Sequence, residues 1–293
     1  MKILSLFVFG FLLVLFITCS QEGGFKGKVV ISITDSPLDA DEVKGVNLVL
    51  TSVELNRKGE WKSVKTFDQP LGINLLAFAD GKSFAVVDQL IEPGTFTEIR
   101  LKLNVSDGAA LIRNPLCNIE FTDGTTQPIL LPENSTTEII ITKEISIRAS
   151  QTIDLTLDVD VRKSVIKNEQ GHYIFNPSIR TLETFETGSI MGKILNLPAS
   201  DRMVVFAYKA GLFNSSESNL TEGIRFKNSI TASKVKKGKF TTAFLEAGTY
   251  DLAFIRQSKS GEFLTVVGVE KNITIQARDQ KQLEVDINKL TGS

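Results

Sequence analysis

The sequence has 293 residues, a formal net charge of -1, 42% hydrophobic and 23% charged residues, the balance of a globular chain long enough for two domains. That balance excludes the basic field a nucleic-acid surface needs. The lone histidine, His172, leaves little of the imidazole that supplies most neutral-pH bases and metal ligands. The 19 Phe against 3 Met favour stiff β-type cores.

In chain order, Lys2 supplies a short positive segment and Ile3 to Ile17 an apolar run containing Leu12, Leu13, Val14, Leu15 and Phe16. The run is short and ends in the polar Ser20-Gln21-Glu22, so residues 1–18 read as an export signal rather than a spanning helix. Residues 19–26, with Gln21-Glu22-Gly23-Gly24, read as a tether. The segment Leu15-Phe16-Ile17-Thr18-Cys19 resembles the lipobox of bacterial lipoproteins, which implies that Cys19 is lipidated and becomes the mature N-terminus. It departs from that pattern in having its leucine one place early, Phe16 in the leucine position, and Thr18 for Gly or Ala. An ordinary secretory signal with an incidental cysteine is the alternative. The other of the 2 cysteines, Cys117, is far downstream, so no disulfide framework is expected. Its surroundings, Asn114-Pro115-Leu116-Cys117-Asn118-Ile119, suggest a buried small apolar residue on a strand.

Strand signals follow. Lys28 to Thr34 and Val46 to Leu55 are rich in β-branched residues with stretches of alternation. Asn56-Arg57-Lys58-Gly59-Glu60 reads as a hairpin turn into Trp61 to Val64. The one helical piece expected lies around Asn74 to Phe78, too short to organise the fold. Phe96 to Leu103, Thr137 to Thr142 and Thr152 to Val161 alternate. After Thr187-Gly188 a second unit begins, with strands over Ser189–Leu195, Met203–Tyr208, Lys239–Phe244, Thr249–Ile255 and Glu262–Val267. Pro93-Gly94-Thr95-Phe96 and Ala247-Gly248-Thr249-Tyr250 place the same Gly-Thr-aromatic device where a strand begins, with the ring expected to plug the end of a sandwich.

The segments Ile33-Thr34-Asp35-Ser36-Pro37-Leu38-Asp39, Gly94 to Leu101, Asp158 to Val165 and Tyr173 to Arg180 together resemble the domain-of-unknown-function 4382 family of bacterial lipoproteins, over roughly Gly27 to Leu182. The resemblance implies architecture and export; the family's activity is unassigned. Gly238-Lys239-Phe240 followed by Leu245-Glu246-Ala247-Gly248-Thr249-Tyr250 is similar to carboxypeptidase-regulatory, transthyretin-like sandwiches. That fold is shared with some starch-binding modules, an analogy of fold only.

The candidate sites are few. Asp35, Asp39, Asp41 and Glu42 gather hard oxygen donors suited to calcium, or else form a turn start and the acid-rich first turn of a short helix. Asp154, Asp158 and Asp160 share one strand face, read as solvated or as belonging to that same site. Trp61, the only tryptophan, could present a carbohydrate platform, although burial at a sheet edge is the commoner outcome. His172 follows a turn and is expected to face solvent. Lys234-Val235-Lys236-Lys237-Gly238-Lys239 reads as a basic hairpin turn that keeps an edge soluble. Gly-x-Ser-x-Gly, phosphate-loop and dinucleotide patterns are absent.

The expectation is an all-β chain: two antiparallel β-sandwich domains in tandem, over 27–186 and 187–293, after a lipoprotein signal peptide. It is read as a non-enzyme with a binding, adhesion or structural role and no cofactor beyond the calcium candidate. A carbohydrate-binding accessory lipoprotein is the first alternative, a carboxylate-dependent glycoside hydrolase the more distant one. The partners expected are the membrane through the anchor, and envelope proteins or polysaccharide. Nucleic acid is excluded, the oligomeric state is open, and the location is the outer membrane, facing the periplasm or the surface.

Overall fold

The computed structural model describes residues 24–36, 42–104, 116–132, 136–198, 202–220, 224–258 and 261–290. The export signal, Cys19, Asp39 and Asp41 lie outside them. Among the described residues no helix is long and apolar enough to cross a membrane.

The chain is all-β. Its first strands are β1 (Gly27–Ser36), β2 (Val43–Arg57), β3 (Glu60–Asn74), β4 (Phe84–Ile91), β5 (Gly94–Leu103) and β6 (Asn118–Phe121). Next come β7 (Thr126–Leu130), β8 (Glu138–Ile147), β9 (Thr152–Asp160), β10 (Val165–Lys167), β11 (Tyr173–Phe175) and β12 (Ile179–Glu183). A one-turn helix, α1 (Val161–Ser164), follows β9 directly. One sheet has the order β12-β9-β1-β4; the other runs β10-β11-β7-β6-β2-β5-β8, with β3 on β2. Ile31, Ile33, Leu155 and Leu157 from the first sheet meet Leu48, Leu50, Ile99 and Leu101 from the second in one core, all at 0% exposure. Each such side chain contributes roughly 1.5–3 kcal/mol on leaving water.

The later strands are β13 (Thr187–Leu195), β14 (Arg202–Lys209), β15 (Thr231–Lys234), β16 (Lys239–Glu246), β17 (Gly248–Gln257), β18 (Phe263–Ile275) and β19 (Gln280–Asp286). They form the sheets β16-β13-β19 and β15-β14-β17-β18. Ile190, Phe240 and Val285 face Val205, Leu252 and Phe254 across the core between these sheets. The sheet containing β14 and β17 is also covered on its other face, where Val204, Phe206 and Ile255 pack with Phe226. Near-continuous apolar runs such as Met203 to Tyr208 follow from this double burial.

The sheets are rich in antiparallel pairs, yet among the described residues β1 with β9, β7 with β11, and β13 with β19 pair in parallel. The local devices behave as their residues require. Lys58 (φ 56°) and Gly59 (φ 86°) both take the left-handed conformation of a two-residue hairpin turn, and Gly59 N–H donates to Asn56 Oδ1 at 2.9 Å. The expected helical piece is a single 3₁₀ turn, Leu75–Phe78, capped by the Asn74 side chain accepting from Leu76 N–H. In the Gly-Thr-aromatic device, Phe96 and Tyr250 are 3% and 1% exposed. A Cβ on Gly94 would lie 2.6 Å from the Arg57 guanidinium carbon, so a larger residue there would push that flexible side chain aside. Tyr250 Oη donates to the Glu246 carbonyl at 2.6 Å, tying the start of β17 to the strand before it.

Candidate functional site

The site with the densest chemistry lies where the two halves meet. The alternation Val29, Ile31, Ile33 puts Asp35 on the core face of β1, at a position that pattern reserves for an apolar residue. Its Oδ1 accepts from Val161 N–H at 3.3 Å, while Oδ2 is buried without a partner. Burial drives this carboxyl well above its ordinary range; the Val161 N–H opposes that, and Asp158 and Asp160 add repulsion.

On β9, Leu155, Leu157 and Val159 take the core face, so Asp158 and Asp160 point the other way, toward the second half of the chain. Both are buried, at 3% and 5% exposure. The solvated-face reading of this strand is therefore corrected: the opposite surface is covered by another part of the chain, which alternation alone does not reveal. Asp154 stays half-buried and accepts from Thr184 Oγ1 at 2.8 Å.

Cations match these acids. Arg180 on β12 grips Asp158 Oδ2 through Nε at 3.1 Å and through an NH₂ group. Arg162 on α1 pairs with Asp160 at 2.9 Å, and Lys163 reaches the same carboxylate at 3.3 Å. Burial still leaves Asp158 raised, with Arg180 opposing; burial likewise lowers Lys163, with Asp160 opposing. The same side chains cross to the second half. Arg162 donates to Ser229 Oγ at 3.0 Å and Lys163 to the Ser229 carbonyl at 2.7 Å. Ser36 and Thr231 hydroxyls bond at 2.8 Å, and Arg180 reaches the Phe244 carbonyl at 3.4 Å. The Arg162 guanidinium lies 4.9 Å from the Phe206 ring centre. Lys236 joins Asp80 at 2.6 Å, so the basic hairpin contacts the first half instead of only solubilising an edge.

Of the calcium candidates, Asp39 and Asp41 lie outside the described residues. Asp35 is buried on the core face of β1, whereas Glu42 is exposed just before β2, its carbonyl accepting from Thr122 N–H. Among the described residues no group of three or more His, Cys, Asp and Glu has a metal-holding arrangement.

Trp61, on β3, is half-buried, and the Arg100 guanidinium stacks 4.2 Å from its ring centre. Arg100 is held in turn by Glu54 and by Glu138 at 3.1 Å, and Lys102 reaches Glu54 at 2.9 Å. Burial pushes the Glu54 carboxyl up, but Lys102 and Arg100 outweigh it and hold the group below its usual range. A sugar stacking on that ring face would have to displace Arg100 from this network. His172 is exposed just before β11. Cys117 is fully buried beside β2, where Val49 N–H donates to its Sγ at 3.2 Å. Burial pushes its thiol up to about 11, far from a reactive thiolate.

Residues 26–177, more than half of the chain, match the family described as Domain of unknown function (DUF4382). No curated protein matches. Among solved structures, the Bacillus anthracis TIE protein is 9% identical, with 89% of this chain and 33% of that one covered and a TM-score of 0.20. The fimbrial anchor protein Mfa2 from Porphyromonas gingivalis is 12% identical, covering 80% and 83%, with a TM-score of 0.22. GBS52, the minor pilin of Streptococcus agalactiae, is 10% identical, covering 88% and 93%, with a TM-score of 0.20. The chain spans 33%, 26% and 34% of the lengths of the first three such structures. At these scores the likeness carries no inference about role.

Proposed function

Because the chain belongs to the domain-of-unknown-function family DUF4382, whose description leaves activity open, we propose a role from its own residues. The protein is a lipid-anchored envelope protein of the outer membrane, attached through Cys19, whose β-sandwiches serve binding or adhesion rather than catalysis. The later sandwich, from about residue 187, is transthyretin-like in this reading.

The observation that carries the proposal is the ion-paired seam. Asp158 and Asp160 hold Arg180, Arg162 and Lys163, these three cations donate across to Ser229 and Phe244 of the second half, and the Cys117 thiol is sealed in the core. A rigid two-part body held off a membrane by a short tether suits presentation of a surface to a partner. An acyl chain supplies about 0.8 kcal/mol per buried methylene, and stable anchoring needs more than one chain, as a diacyl or triacyl cysteine provides.

Cell fractionation of the wild type and Cys19→Ala tests the anchor. The wild type is expected in the outer-membrane fraction and the variant outside the membranes; equal membrane partition of both would refute it.

A further inference from the structure

The sheet containing β14 and β17 is covered on both faces, whereas among the described residues no apolar cluster covers the outer face of β16-β13-β19. Strand register sets out that face in rows. Met191 stands between Thr241 and Gln282, Lys193 between Lys239 and Glu284, and Ser189 beside Gln280. The face is concave. Two cavities of about 460 Å³ each lie along it and share Met191 and Thr241, each within the ~300–1,000 Å³ of ligand sites. The first of them is walled by Asp80 and Gly81 of the first half and by the rings of Phe185 and Phe244. From Ser189 to Lys193 alone the groove runs about 13 Å, at ~3.3 Å per strand residue.

A β-bulge shapes the aromatic end. The register of β13 and β16 slips between Gly188 and Ile190, and Phe244 on the opposing stretch holds φ 53°, a conformation unfavourable for a bulky residue. Strain of that kind at a cavity wall is typical of sites that bind something. Phe185 is 51% exposed and Met191 38%, so the groove has an apolar platform without an apolar core.

The polar groups divide by charge. Most charged ones are already engaged: Asp80 with Lys236, Lys193 with Glu284 at 3.1 Å, Asp279 with Gln276 N–H, and Arg278 on the Phe185 ring. Lys239 stands apart at the far end. The uncharged side chains of Ser189, Thr241 and Gln280 make no hydrogen bond among the described residues, so their donors and acceptors are open to a ligand. A peptide strand has little to read here, because the β13 backbone is already paired on both sides by β16 and β19. A protein partner would need a larger apolar centre.

We propose that this groove binds an extended neutral glycan. Sugar rings pack their C–H faces on Phe185 and Met191, and their hydroxyls exchange hydrogen bonds with Ser189, Thr241 and Gln280. The proposal rests on the binding role given above and names the ligand class for it.

The test applies full-length protein in detergent micelles to an array. The array carries neutral glycans (laminarin, xyloglucan and galactomannan fragments), polygalacturonate fragments, and extended Ser- and Thr-rich peptides. Binding to a neutral glycan is expected. Phe185→Ala should weaken it about tenfold or more and Gln280→Ala severalfold, as loss of a stacked ring and of a hydrogen bond predict. Both positions are exposed, so both variants should melt with the wild type. Binding only to polygalacturonate or only to peptide, binding to nothing on the array, or glycan binding unchanged in both variants would overturn the proposal. Glycan binding that survives both variants leaves the binding role standing and removes only this site. The anchor is read separately, by fractionation of Cys19→Ala.

Discussion

Replacing Asp35 with Asn is expected to stabilise the protein at neutral pH, against the usual effect of altering a buried charged residue. In the wild type, Asp35 Oδ2 and Asp160 Oδ1 are both buried acceptors without partners. An asparagine of the same shape cannot ionise, so it removes the buried charge that the wild type acquires as pH rises, while keeping an oxygen for Val161 N–H. A buried polar atom left without a partner costs roughly 1–3 kcal/mol, which sets the size of the gain. The pH dependence has a definite sign. The folded carboxyl lies well above its ordinary value of 3.8, so its protonated form stabilises the fold. That contribution is complete below the unfolded value and is lost as pH rises through the folded one. Scanning calorimetry of both proteins from about pH 4 to about pH 8 should show similar stability at the acid end. The variant should then gain progressively, by a few degrees in Tm at the alkaline end. A variant less stable than the wild type at neutral pH, or a difference independent of pH, would refute the reasoning. Added calcium separates the competing role: if Asp35 were a calcium ligand, the wild type would gain stability with the ion and the variant would lose that gain.

Arg180→Ala strands the Asp158 carboxylate in the seam. The loss should be about 2–4 kcal/mol, below the full cost of breaking a buried pair because the guanidinium is 28% exposed, as read by urea denaturation. Tyr250→Phe removes the hydroxyl that joins Glu246 and Lys209, and should cost about 0.5–1.5 kcal/mol in the same measurement. Because the Cys117 thiol is pushed up to about 11 and buried, iodoacetamide labelling in the native state should follow the rate or extent of unfolding. Fast labelling in buffer without denaturant would show the thiol to be accessible.

Much of the architecture was legible from local chemistry. Alternation gave the strands, the Lys58-Gly59 turn demanded left-handed backbone, and Asn74 announced a short capped turn. The parallel pairs were not, because β1 joins β9 across more than a hundred residues and nothing local to either strand encodes that register. The seam was half legible. The series Val29, Ile31, Ile33 already places Asp35 on an apolar face, a conflict that signals a special site. For Asp158 and Asp160 the sequence indicates a shared face but not what covers it, and their cover comes from Ser229, Thr231 and Phe244, far along the chain. Trp61 was readable as a ring more commonly buried at a sheet edge than presented, but its stacking with Arg100 depends on the β2 strand lying between β3 and β5.

The anchor is tested most directly by tandem mass spectrometry of the N-terminal peptide from protein purified out of membranes. The account predicts a peptide beginning at Cys19 with acyl chains on the cysteine. A peptide beginning farther along the chain, or an unmodified Cys19, would contradict it.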